Sequence, residues 1–93
     1  MSKITNQKFS LGRIIATANA ARQLSQDEIL IAIGRHGAGD WGDVSDEDKQ
    51  LNDEAIESSA RIMSVYVSLK GVKFWIITEA DKSATTVLLP EDY

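Results

Sequence analysis

Three side chains of the kinds that move protons or hold anions, His36, Glu79 and Lys82, are the candidates for catalysis in this chain. An imidazole titrates near neutrality and can serve as a general base, and a carboxylate with a cation could complete an acid–base set. No serine or carboxylate is placed by sequence to orient His36, and a histidine at a helix C-terminus also simply favours the dipole. The series Asp40, Asp43, Asp46 and Asp48 invites a calcium reading, but an EF-hand loop needs glycine at its sixth position. Counting from Asp43 that position is Asp48, and from Asp40 it is Ser45. With no cysteine and a single histidine, Cys-based and His-rich zinc sites are excluded. No G-x-G follows a strand, so no dinucleotide or methyl-donor fold is indicated. The expectation is no metal and no cofactor.

A second set of residues suits binding. Residues 1–36 carry five basic and two acidic side chains, residues 37–57 carry one and eight, and residues 58–93 carry four of each. The acidic middle repels nucleic-acid phosphate and attracts a basic protein surface. A solvated helix face, with acids favoured in first turns, explains the same charges. Trp41, in the Gly/Asp turn 40–43, is either a lid on the core or an exposed anchor for a partner. With only six aromatic residues in the chain, a core of this size can scarcely leave one idle, which favours the lid. The candidate partner-binding residues are Trp41, Asp46, Glu47, Asp53 and Glu57.

The elements that must position these residues follow from caps and periodicity. Ninety-three residues make one domain. Residues 1–10 read as a flexible N-terminal arm and 11–93 as a single α+β domain. A short strand over 11–16 precedes Thr17, an N-cap for a helix over 18–24. Ser25 and Glu28 form a capping box, and the helix behind them presents Ile29, Leu30, Ala32 and Ile33 before failing between Gly34 and Gly39. Ser45 caps a third helix with Leu51, Ala55, Ile56 and Ser59 as its buried stripe. From Arg61 the period changes to two, predicting strands at 61–68, 73–79 and 84–89. The middle one, apolar on both faces, is central. The fold class expected is α+β: an N-terminal short strand and about three helices packed on a C-terminal three-stranded antiparallel meander.

Several strings together resemble a family of small uncharacterised proteins carried by phages, plasmids and other mobile elements. They are Leu11-Gly12 with Ile15-Ala16-Thr17, then Arg35-His36 with Gly39-Asp40-Trp41-Gly42, and Glu47-Asp48 with Asn52 and Ala55. The last runs from Trp75 through Ser83, Thr85-Thr86 and Leu88 to Tyr93. The chain departs from that pattern at Ala18, where proline is common, and at Lys82, where arginine is usual. Similar proteins are sometimes labelled as a methylation subunit of a type I restriction enzyme. The length and the missing Gly-rich turn exclude that chemistry, but the label suggests a neighbourhood of host defence. A helix followed by a meander bearing Glu, Lys and Thr also resembles small ribonucleases of the barnase and RelE-like type. This chain lacks their second histidine and their basic sheet face.

The reading that results is a non-enzymatic mobile-element accessory protein acting by protein–protein binding, an inhibitor or modulator of a host defence complex. The alternative is a small nuclease toxin using His36, Glu79 and Lys82. The N-terminal segment has no h-region, its longest unbroken apolar stretch being Ile14-Ile15-Ala16. No stretch approaches the roughly 20 apolar residues of a membrane span. Cytoplasmic location, no membrane and no nucleic-acid partner are therefore expected.

Overall fold

Three short polar side chains start the three helices. In the computed structural model, which describes residues 7–93, the Thr17 hydroxyl accepts from the Ala20 N–H at 3.1 Å and opens α1, Ala18–Gln23. Ser25 and Glu28 close the reciprocal capping box, each bond 3.1 Å, at the head of α2, Gln26–Gly37. Ser45 accepts from the Asp48 N–H at 3.1 Å and opens α3, Asp46–Ala55. The buried stripes are narrower than periodicity alone predicts. On α2 they run Ala32, Ile33, His36 and Gly37 with Ile29 beside them, while Leu30 is 59% exposed and Ile31 66%. On α3 only Asn52 and Ala55 are buried, and Leu51 is 60% exposed. A helix that meets its sheet at one or two turns has no surface left to cover a third apolar row.

The sheet has four strands, β1 Arg13–Ala16, β2 Ile62–Val67, β3 Lys73–Thr78 and β4 Ala84–Leu88, in the order β1-β4-β3-β2. The expected three-stranded antiparallel meander is therefore corrected to a mixed sheet. β2, β3 and β4 do form a meander with β3 between two neighbours, but β4 is internal too, because β1 pairs with it in parallel from Arg13 opposite Ala84 to Ala16 opposite Val87. Gly12 makes that entry possible. It sits at φ 61°, and a Cβ there would lie 2.3 Å from the Ser83 carbonyl carbon, so only glycine lets the chain pass the β3–β4 turn so closely.

All three helices contribute to the core on one face of the sheet. Ile62, Tyr66, Phe74, Ile76, Val87 and Leu89 meet Ala20, Leu24, Ala32, Ile33 and Ala55 there. Of the arm expected over residues 1–10, residues 7–10 are among those described. Phe9 is buried in this core, edge-on to His36 at 5.4 Å between centroids, and the Lys8 N–H donates to the Gly37 carbonyl at 2.8 Å. Residues 1–6 lie outside the described residues. At the other end Pro90–Asp92 forms a 3-10 turn, and the Asp92 carboxylate accepts from the Thr17 hydroxyl, the Asn19 amide and the Leu89 N–H at 2.7, 2.8 and 3.0 Å. These bonds tie the chain's end to its first helix and hold the Asp92 carboxyl below the usual carboxylate range, the Thr17 bond contributing most.

Candidate functional site

His36 lies wholly inside the protein, between α2 and the sheet, at 0% exposure. Its Nδ1 is 2.5 Å from the Ser64 hydroxyl and its Nε2 is 2.9 Å from that of Thr78. Thr78 is 2.7 Å from Thr85, whose hydroxyl donates to the Leu11 carbonyl at 2.6 Å. The direction of every proton follows from that last bond. Thr85 has spent its one hydrogen on Leu11, so Thr78 donates to Thr85, and Thr78 must then accept from His36. The imidazole is thus the Nε2–H tautomer, and Nδ1 accepts from Ser64. Burial lowers the His36 pKa to about 4, keeping it neutral as this chain of donors requires. Four polar side chains on β2, β3, β4 and α2, together with the Leu11 carbonyl, satisfy one another's hydrogen-bonding groups.

The three candidate catalytic residues are not brought together. His36 is enclosed and committed on both nitrogens. Lys82, at φ 60° in the β3–β4 turn, donates Nζ to the carbonyls of Ser58, Ala60 and Ala80 at 2.9, 3.1 and 3.3 Å. It thereby staples the loop after α3 to the hairpin. Glu79 stands exposed with Arg61 at 4.0 Å. No hydrogen bond or ion pair links the three. Among the described residues no three His, Asp or Glu side chains converge in a way that could hold a metal ion. No helix of the described residues is long and apolar enough to cross a membrane.

Trp41 is the lid and not the anchor. It is 3% exposed, its ring 6.0 Å from Phe9 and 5.7 Å from His36, and its Nε1 donates to Asp53 Oδ1 at 2.9 Å. The turn around it is clamped on the outside. Arg35 binds Asp40 through Nε at 2.8 Å and Nη2 at 3.2 Å and lies over the Tyr66 ring at 4.6 Å, while the Tyr66 hydroxyl donates to the Asp40 carbonyl at 2.5 Å. The Arg35 guanidinium holds the Asp40 carboxyl below its ordinary value. Burial pushes the Tyr66 hydroxyl up to about 12, against the pull of the Ser64 hydroxyl and the Arg35 charge.

The same turn closes the β2 edge. The Val65 N–H donates to the Trp41 carbonyl at 3.1 Å, and the Val65 carbonyl accepts from the Asp43 N–H at 2.7 Å. Gly42, at φ 74°, lies against that strand so closely that a Cβ would sit 2.1 Å from the Val65 oxygen. Two residues earlier, Asn52 on α3 does with its side chain what a neighbouring strand would do with its backbone. Its amide donates to the Met63 carbonyl at 2.8 Å and accepts from the Met63 N–H at 3.2 Å. Asn52 was visible in the sequence only as one residue of a resemblance. An asparagine on the buried face of an otherwise acidic helix is the signal that could have found it.

Held by Asn52, Ala55 and the Trp41–Asp53 bond, α3 turns the rest of its surface to solvent. Asp46, Glu47, Asp48, Gln50, Glu54 and, just past the helix, Glu57 are all exposed, with Leu51 among them. Glu47, Gln50, Leu51 and Glu54 line a shallow depression on this face. Of the five candidate partner-binding residues, Asp46, Glu47 and Glu57 lie open, Asp53 is exposed but engaged, and Trp41 is behind them. Comparison with known protein families, curated proteins and solved structures gives no match.

Proposed function

We propose that this chain is a non-enzymatic accessory protein of a mobile element that binds a basic surface on a protein of a host defence complex through the outer face of α3, and so modulates that complex. One observation supports the reading more than any other. The acids continue past the point where helix physics favours them. Asp46, Glu47 and Asp48 occupy the first turn, where the dipole welcomes negative charge. Asp53 and Glu54 occupy the last turn, which has no basic residue, and Glu57 follows. Only Asp53 among these has a structural partner in the core, the Trp41 indole. Fold stability does not account for Glu54 and Glu57, whereas an electrostatic binding face does. The resemblance to mobile-element proteins supplies the setting.

The test is affinity capture from a host cell at low salt, followed by association kinetics with whatever is retained. The expected result is a basic protein whose association slows as salt rises, because exposed charges are screened over about 8–10 Å. Replacing Asp46, Glu47 and Glu57 with their amides should slow association more than it speeds release. Unchanged association rates in that triple variant would remove α3 as the contact.

A further inference from the structure

The two edges of the sheet differ in one respect that bears on assembly. On β2 the outward N–H and C=O groups of Met63 and Val65 are closed by Asn52 and by residues 41–43. On β1 the N–H groups of Arg13 and Thr17 turn inward, donating to the Ser83 and Val87 carbonyls at 2.9 and 3.0 Å. Strand alternation therefore turns the backbone groups of Ile14 and Ala16 outward, and among the described residues no hydrogen bond reaches them. All four residues of β1 are exposed, Ile14 by 50% and Ile15 by 39%. Ile14 borders an apolar groove shared with Leu11, Leu30 and Ile33. Proteins usually blunt an edge by keeping it very short, or with charge, proline, a bulge or a covering element. β1 is only four residues long and opens on Arg13, but no proline, bulge or covering element among the described residues closes it. Among the described residues, Met63 and Val65 on one edge are covered and only Val67 at the end of β2 is left outward, whereas the outward groups of β1 are all open and its outer surface is largely apolar.

We propose that β1 is the pairing strand of a homodimer, in which a second copy adds its own β1 antiparallel about a two-fold axis at Ile15 to make one eight-stranded sheet. The strand is self-complementary in that register. Ile14 of one copy faces Ala16 of the other, twice, so all four outward backbone groups of each strand are satisfied. Ile15 meets Ile15 on the face away from the helices. Arg13 falls opposite Thr17, so like charges are not opposed across the strands. A slip of one residue would set inward-turned groups against outward ones, so no adjacent register competes. The contact is small against the about 800 Å² per partner of a standard interface, so the dimer dissociates on dilution. Because α3 packs against β2, at the opposite edge, the dimer presents two acidic faces, one at each end.

Sedimentation equilibrium of the full chain from micromolar to millimolar concentration tests the proposal. The expected result is a reversible monomer–dimer equilibrium. Ala16→Pro removes only an outward donor, which an edge strand tolerates, and Ile15→Arg places like charges at the axis. Each should weaken the dimer by about tenfold or more, in line with losing two of four bonds or opposing two charges, with the monomer's circular dichroism unchanged. Amide exchange gives a second readout that does not depend on variants. Ile14 and Ala16 should be protected only at high concentration, and Arg13 and Thr17 at both. A monomer throughout, whether residues 1–6 or nothing covers the edge, overturns the proposal. A dimer that survives both variants, with Ile14 and Ala16 exchanging freely, overturns it equally, since the contact then lies elsewhere.

Discussion

His36 is the residue on which chemistry, fold and acid sensitivity meet. The unfolded chain takes up its imidazole proton near pH 6.5, while the folded one, which must strip water from the cation to do so, does not until about pH 4. The unfolded state therefore binds more protons between those values, and stability is complete above pH 6.5 and declines as the pH falls toward 4. A gap of that size corresponds to about 3 kcal/mol. Urea midpoints should fall over this window in the parent, and His36→Gln, less stable at pH 7.5, should show a flatter slope between pH 6.5 and 5. Equal slopes in the two proteins would sink the assignment. The nitrogen shifts of the imidazole should report the Nε2–H tautomer at neutral pH. Trp41, which packs on the same ring, should cost about 3–5 kcal/mol when cut to alanine, since a large apolar group and its packing both disappear. That is about a fifth or more of the about 5–14 kcal/mol expected for a domain of this length. The sequence allowed the Trp41 lid to be argued from the scarcity of aromatic residues. It did not disclose the polar chain, because Ser64, Thr78 and Thr85 read singly as surface residues of strands. Only the register, which sets Thr78 opposite Thr85 and Ser64 on the face of Ile62 and Tyr66, shows that they point at His36.

Among the elements, the capped helices and the meander were legible because their causes are local. A hydroxyl before a first turn, a box from Ser25 to Glu28 and a change of period at Arg61 each act within a few residues. The parallel pairing of β1 with β4 was not, since it joins segments about seventy residues apart and leaves no periodic trace in a strand of four exposed residues. The covering of β2 was hidden for the same reason, and it makes the sharpest demand on particular side chains. Asn52→Ala removes one donor and one acceptor and should cost about 1–3 kcal/mol. Asn52→Asp should do no better, although it is nearly the same shape, because a carboxylate can accept from the Met63 N–H but sets oxygen against oxygen at the Met63 carbonyl. Gly42→Ala adds about 1–3 kcal/mol of backbone strain at its positive φ before any collision with Val65. Chemical denaturation measures all three, and an aspartate variant as stable as the parent would show that α3 does not close this edge as described. The residues that carry the family resemblance turn out to be largely of this kind. Arg35 holds Asp40, Thr17 holds Asp92, and Asn52 holds Met63. In this chain those positions largely fasten the fold, and they name no activity by themselves.

At the scale of the whole molecule, what remains after the fastenings are removed is a pattern of charge. The chain carries −4 overall, but −7 is concentrated between residues 37 and 57. Such crowding opposes the compact state through self-repulsion, and three of its members, Asp53, Glu54 and Glu57, sit where the α3 dipole makes matters worse. If the face exists for binding, relieving it should stabilise the fold and weaken recognition together, the trade-off expected where a site is kept for activity. Glu54→Lys and Glu57→Lys place cations at the helix C-terminal end, and each should raise stability by about 0.3–1 kcal/mol. Glu54 also loses its contact with Gln50, which is exposed and counts for little. The parent itself should grow more stable as salt is raised from low values to a few tenths molar, since screening quiets the repulsion, and the double variant should respond less. Thermal unfolding in a salt series reads both effects. A double variant that is less stable than the parent at low salt would show that these glutamates serve the fold after all. The case for an acidic binding face would then rest on charge alone, which a solvated helix explains just as well.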